Sequence, residues 1–477
     1  MRRCSLCSCV LIGLLWSELV LAVDWNGQVN LQNRWYFDTG AEVSNQLFSS
    51  VAAQIGLDHA INDDADLKAS IYARYDANDD ERSNQDIREL MASYYFNRAE
   101  IGVGIGQASW GVNSIFKTLD FVNQTDRADL PFSNKMGQPM AKLLSDFGDI
   151  QLESYLLYDV RDAWYPGEDG RLRYPLFVDT DNAVYDRDGK GRLEFAGRLK
   201  FPLLGGEMGL SHFYGLNRNP YFVFNGNFSQ PALLPVYEKI NRSGLSYIKN
   251  QGDVLYKFEF AYQTGGVEQY ESIAGGIEYA YGSVFSSNIE MSLNFEFVWD
   301  SREQVPTQLF DHDVGVAASF NFNDASDSLL MFGVVIDYKY SEAMSYGFFR
   351  RNFGDQWSMS LIGQFFHANE PGIDTRSFEQ AASELLQELD AGIFPLDQQV
   401  LQTIADGFSE VTLNRKQFDI IVNELERLQT DENYVANLPI ESIPQTLYDL
   451  LRVSDDSQKM NLIQRDSFIQ LDINYHF

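Results

Sequence analysis

Cysteine is nearly absent from this chain of 477 residues, because its three members, Cys4, Cys7 and Cys9, all lie near the start. The rest of the chain therefore has no disulfide framework, no thiolate nucleophile and no cysteine metal site. Histidine is scarce as well, with five residues that show no ligand spacing. The chain also has no run of about 20 apolar residues, which excludes a membrane-spanning helix.

Basic residues are in the minority: 36 Lys and Arg stand against 68 Asp and Glu, and the formal net charge is −32. Because phosphate binding needs a basic surface, this charge excludes nucleic acid as a partner. An acidic surface attracts divalent cations and cationic solutes. An acidic surface also keeps a protein soluble in a salty habitat. Cation attraction and solubility are therefore both possible reasons for the negative charge.

Residues 1–22 have the order of a secretory signal. Arg2 and Arg3 form a charged start, an apolar stretch follows at 10–16, and Ala22 ends a segment suited to cleavage. The apolar stretch is too short to span a membrane. No cysteine follows it, which excludes a lipoprotein anchor. We therefore expect 1–22 to be a signal peptide.

The segment 467–477 alternates strictly between apolar and polar residues. Its apolar positions are Ile469, Leu471, Ile473, Tyr475 and Phe477. A strand with one apolar and one polar face suits a boundary between lipid and water. An apolar face that closes on Phe resembles the assembly signal of Gram-negative outer-membrane β-barrels. The alternative is the last strand of a soluble sandwich.

The same alternation recurs along the chain, of which 14% is aromatic. Strands with aromatic residues on one face and charges on the other favour a barrel with lipid outside and water inside. We predict an all-β fold, a transmembrane antiparallel β-barrel of about 18 strands, with 16 strands as the alternative. The predicted strands are 24–38, 46–58, 66–76, 86–97, 100–109, 138–146, 149–159, 191–202, 206–217, 236–249, 253–264, 270–282, 288–300, 310–322, 328–340, 343–353, 356–368 and 466–477.

The chain then divides into a barrel at 23–369, a helical insertion at 370–460 and a closing strand at 461–477. The predicted tight turns fall on one rim, which is periplasmic if both termini lie inside the cell envelope. Long segments at 110–137, 160–190 and 218–235 fall on the other rim. We expect 110–137 to fold into the barrel, because its position and length are those of a porin constriction loop.

From about 376 to 452 the apolar spacing changes from 2 to 3.6, which predicts amphipathic α-helices before the last strand. The stripes are carried by Phe378 and Leu385, by Val400 and Ile404, by Phe418 and Leu425, and by Leu447 and Leu451. We expect them to be buried in a cap or a partial plug. A flexible partner-binding appendage is the alternative, and a periplasmic location requires a strand count that is wrong by one.

Several short phrases resemble a proteobacterial family of porin-like outer-membrane proteins of largely unassigned function. They lie at 110–111, 122–126, 136–140, 166–173 and 234–237, and Phe310-Asp311 followed by Asn323-Asp324 is similar. The resemblance covers most of 24–370 and the final strand. It implies passage of a small or hydrophobic compound across the outer membrane. The helical insertion departs from the family pattern, so the resemblance does not imply an open pore.

The charged residues of the in-folded segment and of the strand faces are the candidate functional residues. For the constriction we predict Trp110, Lys117, Asp120, Asp126, Arg127 and Lys135. For the lumen wall we predict Arg192, Glu194, Arg198, Lys200, Lys257 and Glu259. Lumen walls of mixed sign orient polar solutes and select by charge. The alternative is that these charges only hydrate the lumen and satisfy one another.

Catalytic motifs are weak. Asp311-His312-Asp313 offers metal or acid–base groups, but on a strand the two aspartates point one way and the histidine the other. Ser211 and His212 are adjacent, so on a strand their side chains also point to opposite faces. The sequence lacks the G-x-S-x-G motif of a nucleophile elbow. We predict no enzyme activity, no catalytic residue, no metal site and no cofactor.

Three functions fit these observations. The first is an outer-membrane channel for passive passage of small solutes, constricted by 110–137. The second is a gated conduit for hydrophobic or lipid-like compounds that works with a periplasmic or inner-membrane transporter. The third is a barrel that anchors an extracellular binding or adhesion cap. The expected partners are outer-membrane lipid, lipopolysaccharide, the barrel assembly machinery and a small-molecule solute.

Overall fold

The computed structural model describes 23–40, 42–129, 134–186, 190–267, 269–302, 308–368, 376–409, 415–438, 443–454 and 459–477. The expected signal peptide at 1–22 lies outside the described residues. So do 130–133 of the in-folded segment and 369–375 at the start of the helical insertion.

Eighteen antiparallel strands form one closed barrel, because β1 pairs with β2 on one side and with β22 on the other. The barrel strands are β1 (Val23–Tyr36), β2 (Leu47–Asn62), β3 (Ala65–Asp76), β4 (Gln85–Phe96), β5 (Ala99–Gly106), β6 (Gln138–Asp146), β7 (Gln151–Tyr158), β10 (Leu193–Leu203), β11 (Gly206–Leu216), β14 (Lys239–Gln251), β15 (Val254–Gly265), β16 (Tyr270–Tyr281), β17 (Glu290–Asp300), β18 (His312–Asn321), β19 (Leu329–Asp337), β20 (Ala343–Phe353), β21 (Trp357–His367) and β22 (Phe468–His476). The prediction of 18 strands is confirmed, and the alternative of 16 is wrong.

The outer face of the barrel is apolar. Large apolar side chains at alternate strand positions are exposed on this face, such as Trp25 at 59%, Val103 at 62% and Leu193 at 61%. On β10, the strand that begins at Leu193, the alternate residues Glu194 and Ala196 are buried inside the barrel. A closed barrel with an apolar outer band and a polar interior is the architecture of outer-membrane proteins, and we place the chain in the outer membrane. Within the described ranges, no helix is long and apolar enough to cross a membrane.

The barrel closes along a polar seam between β22 and β1. Arg34 donates through Nε to Oε1 of Gln470 at 2.8 Å, and Asn30 donates through Nδ2 to Oδ1 of Asn474 at 2.8 Å. These groups face the lumen. On the other face, Ile473 of β22 and Phe477, which directly follows the strand, are open to the outside.

The connections differ sharply between the two rims. The connection from β10 to β11 is a two-residue turn in which Leu204 has a φ of 50° and Gly205 a φ of 77°. Two consecutive left-handed residues match the twist of a tight hairpin. We call the rim that carries this turn the short-turn rim. The long connections 107–137, 159–192, 217–238 and 368–467 all leave the opposite rim, which we call the long-loop rim.

The long connections build further structure above the barrel. Four short strands form a small sheet, namely β8 (Phe177–Val178), β9 (Val184–Tyr185), β12 (Tyr221–Phe224) and β13 (Ala232–Tyr237). The helices are α1 (Arg376–Asp390), α2 (Gln398–Ser409), α3 (Arg415–Thr430), α4 (Glu432–Val435) and α5 (Ile443–Ser454), and a 3₁₀ helix spans Asn461–Asp466 before β22. The predicted helical insertion before the last strand is confirmed.

The helices share one hydrophobic core with the loops of the small sheet. Leu385, Ile404 and Phe408 from the helices are fully buried with Phe222 and Phe228 from the loop 217–238. The helices α1, α2, α3 and α5 each bury one apolar stripe, as the 3.6 spacing requires, whereas the short α4 has no buried residue. We call this unit, the helices together with the loops 159–192 and 217–238, the cap.

The cap is fastened to the barrel near the closing seam. Arg171 pairs through Nε with Oδ1 of Asp466 at 2.5 Å, and Leu172 donates its backbone N–H to the other oxygen at 2.9 Å. Arg452 lies 3.5 Å from Glu42 of the loop between β1 and β2. The cap therefore contacts the long-loop rim through the end of its helical insertion.

Candidate functional site

The described residues of the connection between β5 and β6, 107–129 and 134–137, lie inside the barrel, and the segment first packs against the nearest wall. Trp110 is 1% exposed and packs edge-on against Phe121, with ring centroids 5.7 Å apart. Its indole N–H donates to Oε2 of Glu153 on β7 at 3.0 Å. Trp110, which we predicted at the constriction, is thus held against the wall. It fixes where the segment enters the lumen.

On the far wall, Glu259 of β15 holds the segment by its backbone. Its Oε1 accepts the N–H groups of Val112 at 2.6 Å and Asn113 at 2.8 Å. Its Oε2 accepts the N–H of Leu119 at 2.9 Å and the hydroxyl of Thr118 at 3.0 Å. A carboxylate that accepts this many donors is stable although it is fully buried.

Glu296 of β17 repeats this arrangement on the intervening residues. Its carboxylate accepts the N–H groups of Ser114 at 2.7 Å, Ile115 at 2.7 Å and Phe116 at 3.1 Å. Lys257 balances its charge, with Nζ 2.8 Å from Oε1 of Glu296. We call Glu259 and Glu296 together the carboxylate latch.

Two arginines continue the contact along the wall. Arg242 of β14 donates to the carbonyl oxygen of Thr118 at 2.6 Å. Arg218 donates through Nε to the carbonyl oxygen of Val122 at 3.0 Å, and its Nη2 lies 2.6 Å from Oε2 of Glu194. Glu194, one of the predicted lumen charges, therefore positions an arginine that holds the segment.

Farther along the segment, Asp129 meets three arginines of another wall. Arg34 of β1 lies 3.1 Å from Asp129 and Arg82 lies 2.8 Å from it, while Arg74 of β3 forms a third pair. Arg82 also pairs with Asp76. Although burial opposes it, the guanidinium groups of Arg82, Arg74 and Arg34 hold the pKa of Asp129 well below its usual range. We call this group the arginine clasp.

The carboxylate latch and the arginine clasp lie on opposite sides of the lumen. Around the barrel, the strands β4, β5, β6, β7, β10, β11 and β14 separate β3 from β15. On the other side, β18 to β22 separate β17 from β1. One loop that is fixed at both places must cross the interior of the barrel. The segment 107–129 therefore spans the lumen.

The other predicted residues of this segment occupy two environments. Asp120 accepts the N–H of Gly111 at 3.0 Å and lies 3.0 Å from Nζ of Lys135. Although burial opposes it, Lys135 and this N–H lower the pKa of Asp120. Burial and the charge of Asp129 raise the pKa of Asp126 to about 6.

Lys117 and Arg127 have different surroundings. Lys117 is exposed in the lumen. Arg127 is buried and donates to the carbonyl oxygen of Arg218 at 3.3 Å. Lys117 therefore presents its ammonium group to the lumen, while the guanidinium group of Arg127 is used for packing.

The remaining predicted wall charges lie on or beside β10. Arg198 is buried and donates to Oγ of Ser246 at 3.1 Å, and Lys200 lies 3.2 Å from Glu153. Arg192 precedes the strand, at the rim, and is exposed. These groups are not brought to the carboxylate latch. Arg198 and Lys200 border the lumen on the near wall, beside Trp110.

Two cavities lie on either side of the latched segment. The one toward the long-loop rim has a volume of about 250 Å³ and includes Lys117 and Arg242 in its lining. The one toward the short-turn rim has a volume of about 340 Å³ and includes Ser292 and Met331. Ile115 and Phe310 line both cavities. These two side chains therefore stand at the boundary between the cavities.

One stretch of the lumen wall is apolar. Register places three rows side by side across β19, β20 and β21, namely Val335–Met344–Phe366, Gly333–Tyr346–Gln364 and Met331–Phe348–Ile362. Val335 and Met344 are each 1% exposed, whereas Ile336 on the outer face is 46% exposed. We call the first and third rows the apolar strip. Phe116 of the latched segment packs against the same hydrophobic cluster.

A closed barrel, an apolar outer band and a segment across the lumen are now established. The chain has the fold of a porin-like outer-membrane barrel. No protein-family model and no curated protein sequence matches it.

Solved structures show low similarity to this chain. OccK5 (OpdH) of Pseudomonas aeruginosa is 12% identical, with a TM-score of 0.42 over 73% of this chain and 92% of its own. A BenF-like porin from Pseudomonas fluorescens is 8% identical, with a TM-score of 0.43 over 73% of this chain and 94% of its own. OmpT, an outer membrane protein of Vibrio cholerae, is 9% identical, with a TM-score of 0.38 over 72% and 88%. The functional argument therefore depends on the residues of this chain.

Sequence reasoning missed most partners of the in-folded segment. Glu296 stands on a lumen-facing position of a predicted strand, so alternation places it inside but does not say what it binds. Arg34 and Arg74 also occupy inward positions of predicted strands. Asp129 follows Asp126 and Arg127 closely, yet its partners are 95 and 55 residues away in sequence.

Proposed function

We propose that this protein is a passive outer-membrane channel for small organic solutes, narrowed by the segment 107–137. The observation that carries this proposal is the segment fixed across the lumen between the carboxylate latch and the arginine clasp. A loop held by buried carboxylates and guanidinium groups keeps its place in a water-filled barrel. Such a loop narrows the lumen without closing the barrel wall.

The cavities suggest a route for the solute. It passes from the cavity near the long-loop rim, between Ile115 and Phe310, into the cavity near the short-turn rim. Phe116 and Phe310 meet edge-on with ring centroids 5.6 Å apart, so the boundary is apolar. An apolar constriction restricts the flow of water and ions while it admits molecules with an apolar body.

The apolar strip favours the second candidate, a conduit for hydrophobic or amphipathic compounds. The strip faces the lumen beside the same boundary, because Val335 and Met344 line the cavity of about 340 Å³. Opposite them stand polar groups, including Ser292 and Asn294. A lumen with one apolar and one polar wall suits a small molecule with an apolar body and a polar end. A periplasmic transporter that receives this solute remains part of the proposal.

The position of the helices bears on the third candidate, the anchored cap. The hydrophobic core of the cap is made by its helices and by residues of the loops 159–192 and 217–238. This packing of the described helices on loops of the long-loop rim supports a position over that rim rather than within the barrel. This arrangement favours a cap that controls entry over a barrel that serves only as an anchor.

Single-channel recording in planar bilayers tests the channel. The full protein is compared with a version in which 376–452 is replaced by a short linker. That replacement is sterically feasible because β21 and β22 are adjacent, with Gln364 opposite Phe468. We expect a small steady conductance that increases when the helices are removed. Silence in both versions would contradict an ion-permeable channel and would leave the conduit for apolar compounds.

Uptake by cells that express the protein distinguishes the two solute classes. Met344→Asp places a charge on the apolar strip, and Ser360→Asp places one on the inner face of β21 outside the strip. We expect Met344→Asp to lower the uptake of phenylethanol several-fold relative to arabinose, while Ser360→Asp leaves the ratio unchanged. Equal ratios in both variants would mean that the strip has no part in solute choice.

A further inference from the structure

Three carboxylates meet at the long-loop rim, away from the latched segment. Asp311 precedes β18, Asp313 lies within it, and Asp337 ends β19 directly opposite Asp313. One oxygen from each of the three lies within 4.8 Å of the others. All three residues are buried, and Asp313 is 0% exposed. We call them the rim triad.

Some of the triad oxygens already have protein partners. Asp313 accepts the backbone N–H of Asp311 through Oδ2 at 2.8 Å. Asp337 accepts the N–H groups of Lys339 at 2.7 Å and Tyr340 at 2.9 Å through Oδ1. Asp311 pairs through Oδ2 with the ammonium group of Lys459. These contacts orient the three side chains toward one another.

Two oxygens of the triad are buried without any hydrogen-bond partner, Oδ1 of Asp311 and Oδ1 of Asp313. An unpartnered buried carboxylate oxygen is costly, because it has given up its hydration and gained nothing in return. Both oxygens belong to the same triad, and each is on a residue at least nine-tenths buried. This is the arrangement that a bound cation would satisfy.

The charge around the triad leads to the same conclusion. When all three are ionised, the carboxylates carry three negative charges, and Lys459 supplies one positive charge. His312 adds an imidazole whose Nδ1 is 3.3 Å from Oδ2 of Asp311. Glu342 is nearby, but it accepts the N–H groups of Met460 at 3.0 Å and Asn461 at 3.1 Å. One divalent cation balances the triad and Lys459 together.

We propose that Asp311, Asp313 and Asp337 bind a divalent metal ion, of which Ca²⁺ fits best. Hard cations take carboxylate oxygens, and one oxygen from each of the three carboxylates supplies three of the six to eight oxygens that Ca²⁺ uses. Mg²⁺ retains several water molecules, which suits a buried triad less well. Backbone carbonyl groups or water complete the coordination.

The ion would fasten the cap to the barrel. Lys459, Met460 and Asn461 form the return of the helical insertion to β22, and they contact Asp311 and Glu342 of the rim. A cation on the triad fixes the position of Asp311, and Asp311 in turn holds Lys459. This site is separate from the carboxylate latch, and the proposal does not depend on the proposed channel.

Terbium luminescence on the full, detergent-purified protein tests the proposal after chelation and dialysis. Tb³⁺ occupies Ca²⁺ sites, and the ring of Tyr338 packs against His312 with centroids 5.9 Å apart, near enough to sensitise its emission. We expect saturable emission that Ca²⁺ displaces. Asp313→Asn and Asp337→Asn should each weaken Tb³⁺ binding at least tenfold. Asp253→Asn, in an exposed turn of the other rim, should leave it unchanged.

A folding control shows that any loss of Tb³⁺ binding does not come from a misfolded variant. Folded barrels migrate differently from heated ones in gel electrophoresis, so each variant is first shown to be heat-modifiable. Should Asp313→Asn fail to fold, Asp337→Asn carries the comparison. Ca²⁺ should also raise the thermal midpoint of the natural protein and not that of the triad variants. Equal Tb³⁺ affinity in the natural protein and both triad variants would overturn the proposal, as would emission that Ca²⁺ does not displace.

Discussion

Glu259 and Glu296 stand on β15 and β17, with β16 between them, and together they accept six backbone N–H groups from residues 112–119. The strand between them is lined by small residues at this level, including Ala274 and Gly276, which leave room for the segment. Two neighbouring carboxylates therefore act on one short stretch of loop. They fix its backbone without regard to its side chains.

Glu259→Gln tests the latch, because among the described residues every hydrogen-bond partner of this carboxylate belongs to the in-folded segment. The amide keeps one acceptor oxygen but loses the charge that strengthens four contacts. We expect a loss of about 2–4 kcal/mol in unfolding free energy, since a hydrogen bond to a charged group contributes roughly 1.5–3 kcal/mol. Single-channel recordings should show larger or noisier currents, because the freed segment no longer narrows the lumen steadily.

Glu278→Gln is the matched control for this substitution. Glu278 faces the same lumen and pairs with Lys257 at 3.3 Å, but it accepts no hydrogen bond from the backbone of the segment's described residues. We expect its currents to resemble those of the natural protein. Unchanged currents and stability in Glu259→Gln would show that the latch does not hold the segment.

The sequence is sufficient to predict the barrel, because each strand carries its own evidence. In β15, Lys257 and Glu259 alternate with Tyr256 and Phe258, and this two-residue period places charges inside and rings outside wherever the strand pairs. The helical stripes around Leu385 and Phe408 are local in the same way. Local periodicity therefore predicted 18 strands and the helical insertion.

The constriction depends on contacts that local periodicity does not contain. Glu296 is about 180 residues from the N–H groups that it accepts, and nothing near Asp129 identifies Arg34 or Arg74 as its partners. The rim triad also depends on a contact between residues that are distant in sequence. Sequence reasoning considered only the adjacent residues Asp311, His312 and Asp313. The third carboxylate, Asp337, comes from the neighbouring strand.

Asp126 and Asp120 should respond to pH in opposite directions. The raised pKa of Asp126, about 6, means that the folded protein prefers its neutral form. Its contribution to stability is therefore largest at low pH and is lost as pH rises through 6. Asp126→Asn should stabilise the protein at pH 8, by about 3 kcal/mol at most, because one pKa unit corresponds to about 1.4 kcal/mol. At pH 4 the two proteins should be equally stable.

Asp120→Asn should have the opposite effect to Asp126→Asn. The lowered pKa of Asp120 means that its charged form stabilises the fold above the unfolded pKa, and that this contribution is lost as the solution becomes strongly acidic. The substitution should therefore destabilise the protein at pH 8. Urea unfolding in detergent at pH 4 and pH 8 measures both effects. If both variants changed stability in the same direction, the assigned environments of these carboxyl groups would be wrong.

Phe408→Ala should loosen the cap while the barrel stays closed. Phe408 is fully buried in the cap core, and truncating a buried Phe typically costs about 3–5 kcal/mol. We expect faster proteolysis within 376–454 and a higher conductance, with an unchanged heat-modifiable barrel. Ile393→Ala is the control, because Ile393 is 50% exposed between α1 and α2. A Phe408→Ala protein that lost its barrel would show that cap and barrel fold as one unit.

Gly27 and Phe477 should be coupled at the closing seam. They exchange backbone hydrogen bonds, with Gly27 donating to Phe477 at 2.8 Å and Phe477 donating to Gly27 at 3.0 Å. The Phe477 ring covers Gly27 so closely that an added Cβ would lie 2.2 Å from it. Gly27→Ala therefore forces the ring away, and we expect a cost of about 1–3 kcal/mol, typical of overpacking. The measurement is the fraction of protein that refolds into lipid vesicles as heat-modifiable barrel.

A double-variant cycle separates this clash from a general effect of alanine on strand pairing. In the Phe477→Ala background the ring is gone, so adding Gly27→Ala should cost little more. Gly347→Ala on β20 is the control, because its added Cβ would meet nothing within 4 Å. If the cost of Gly27→Ala were the same with and without the Phe477 ring, the ring would not be what makes glycine necessary at position 27. The closing contact would then depend on the backbone hydrogen bonds alone.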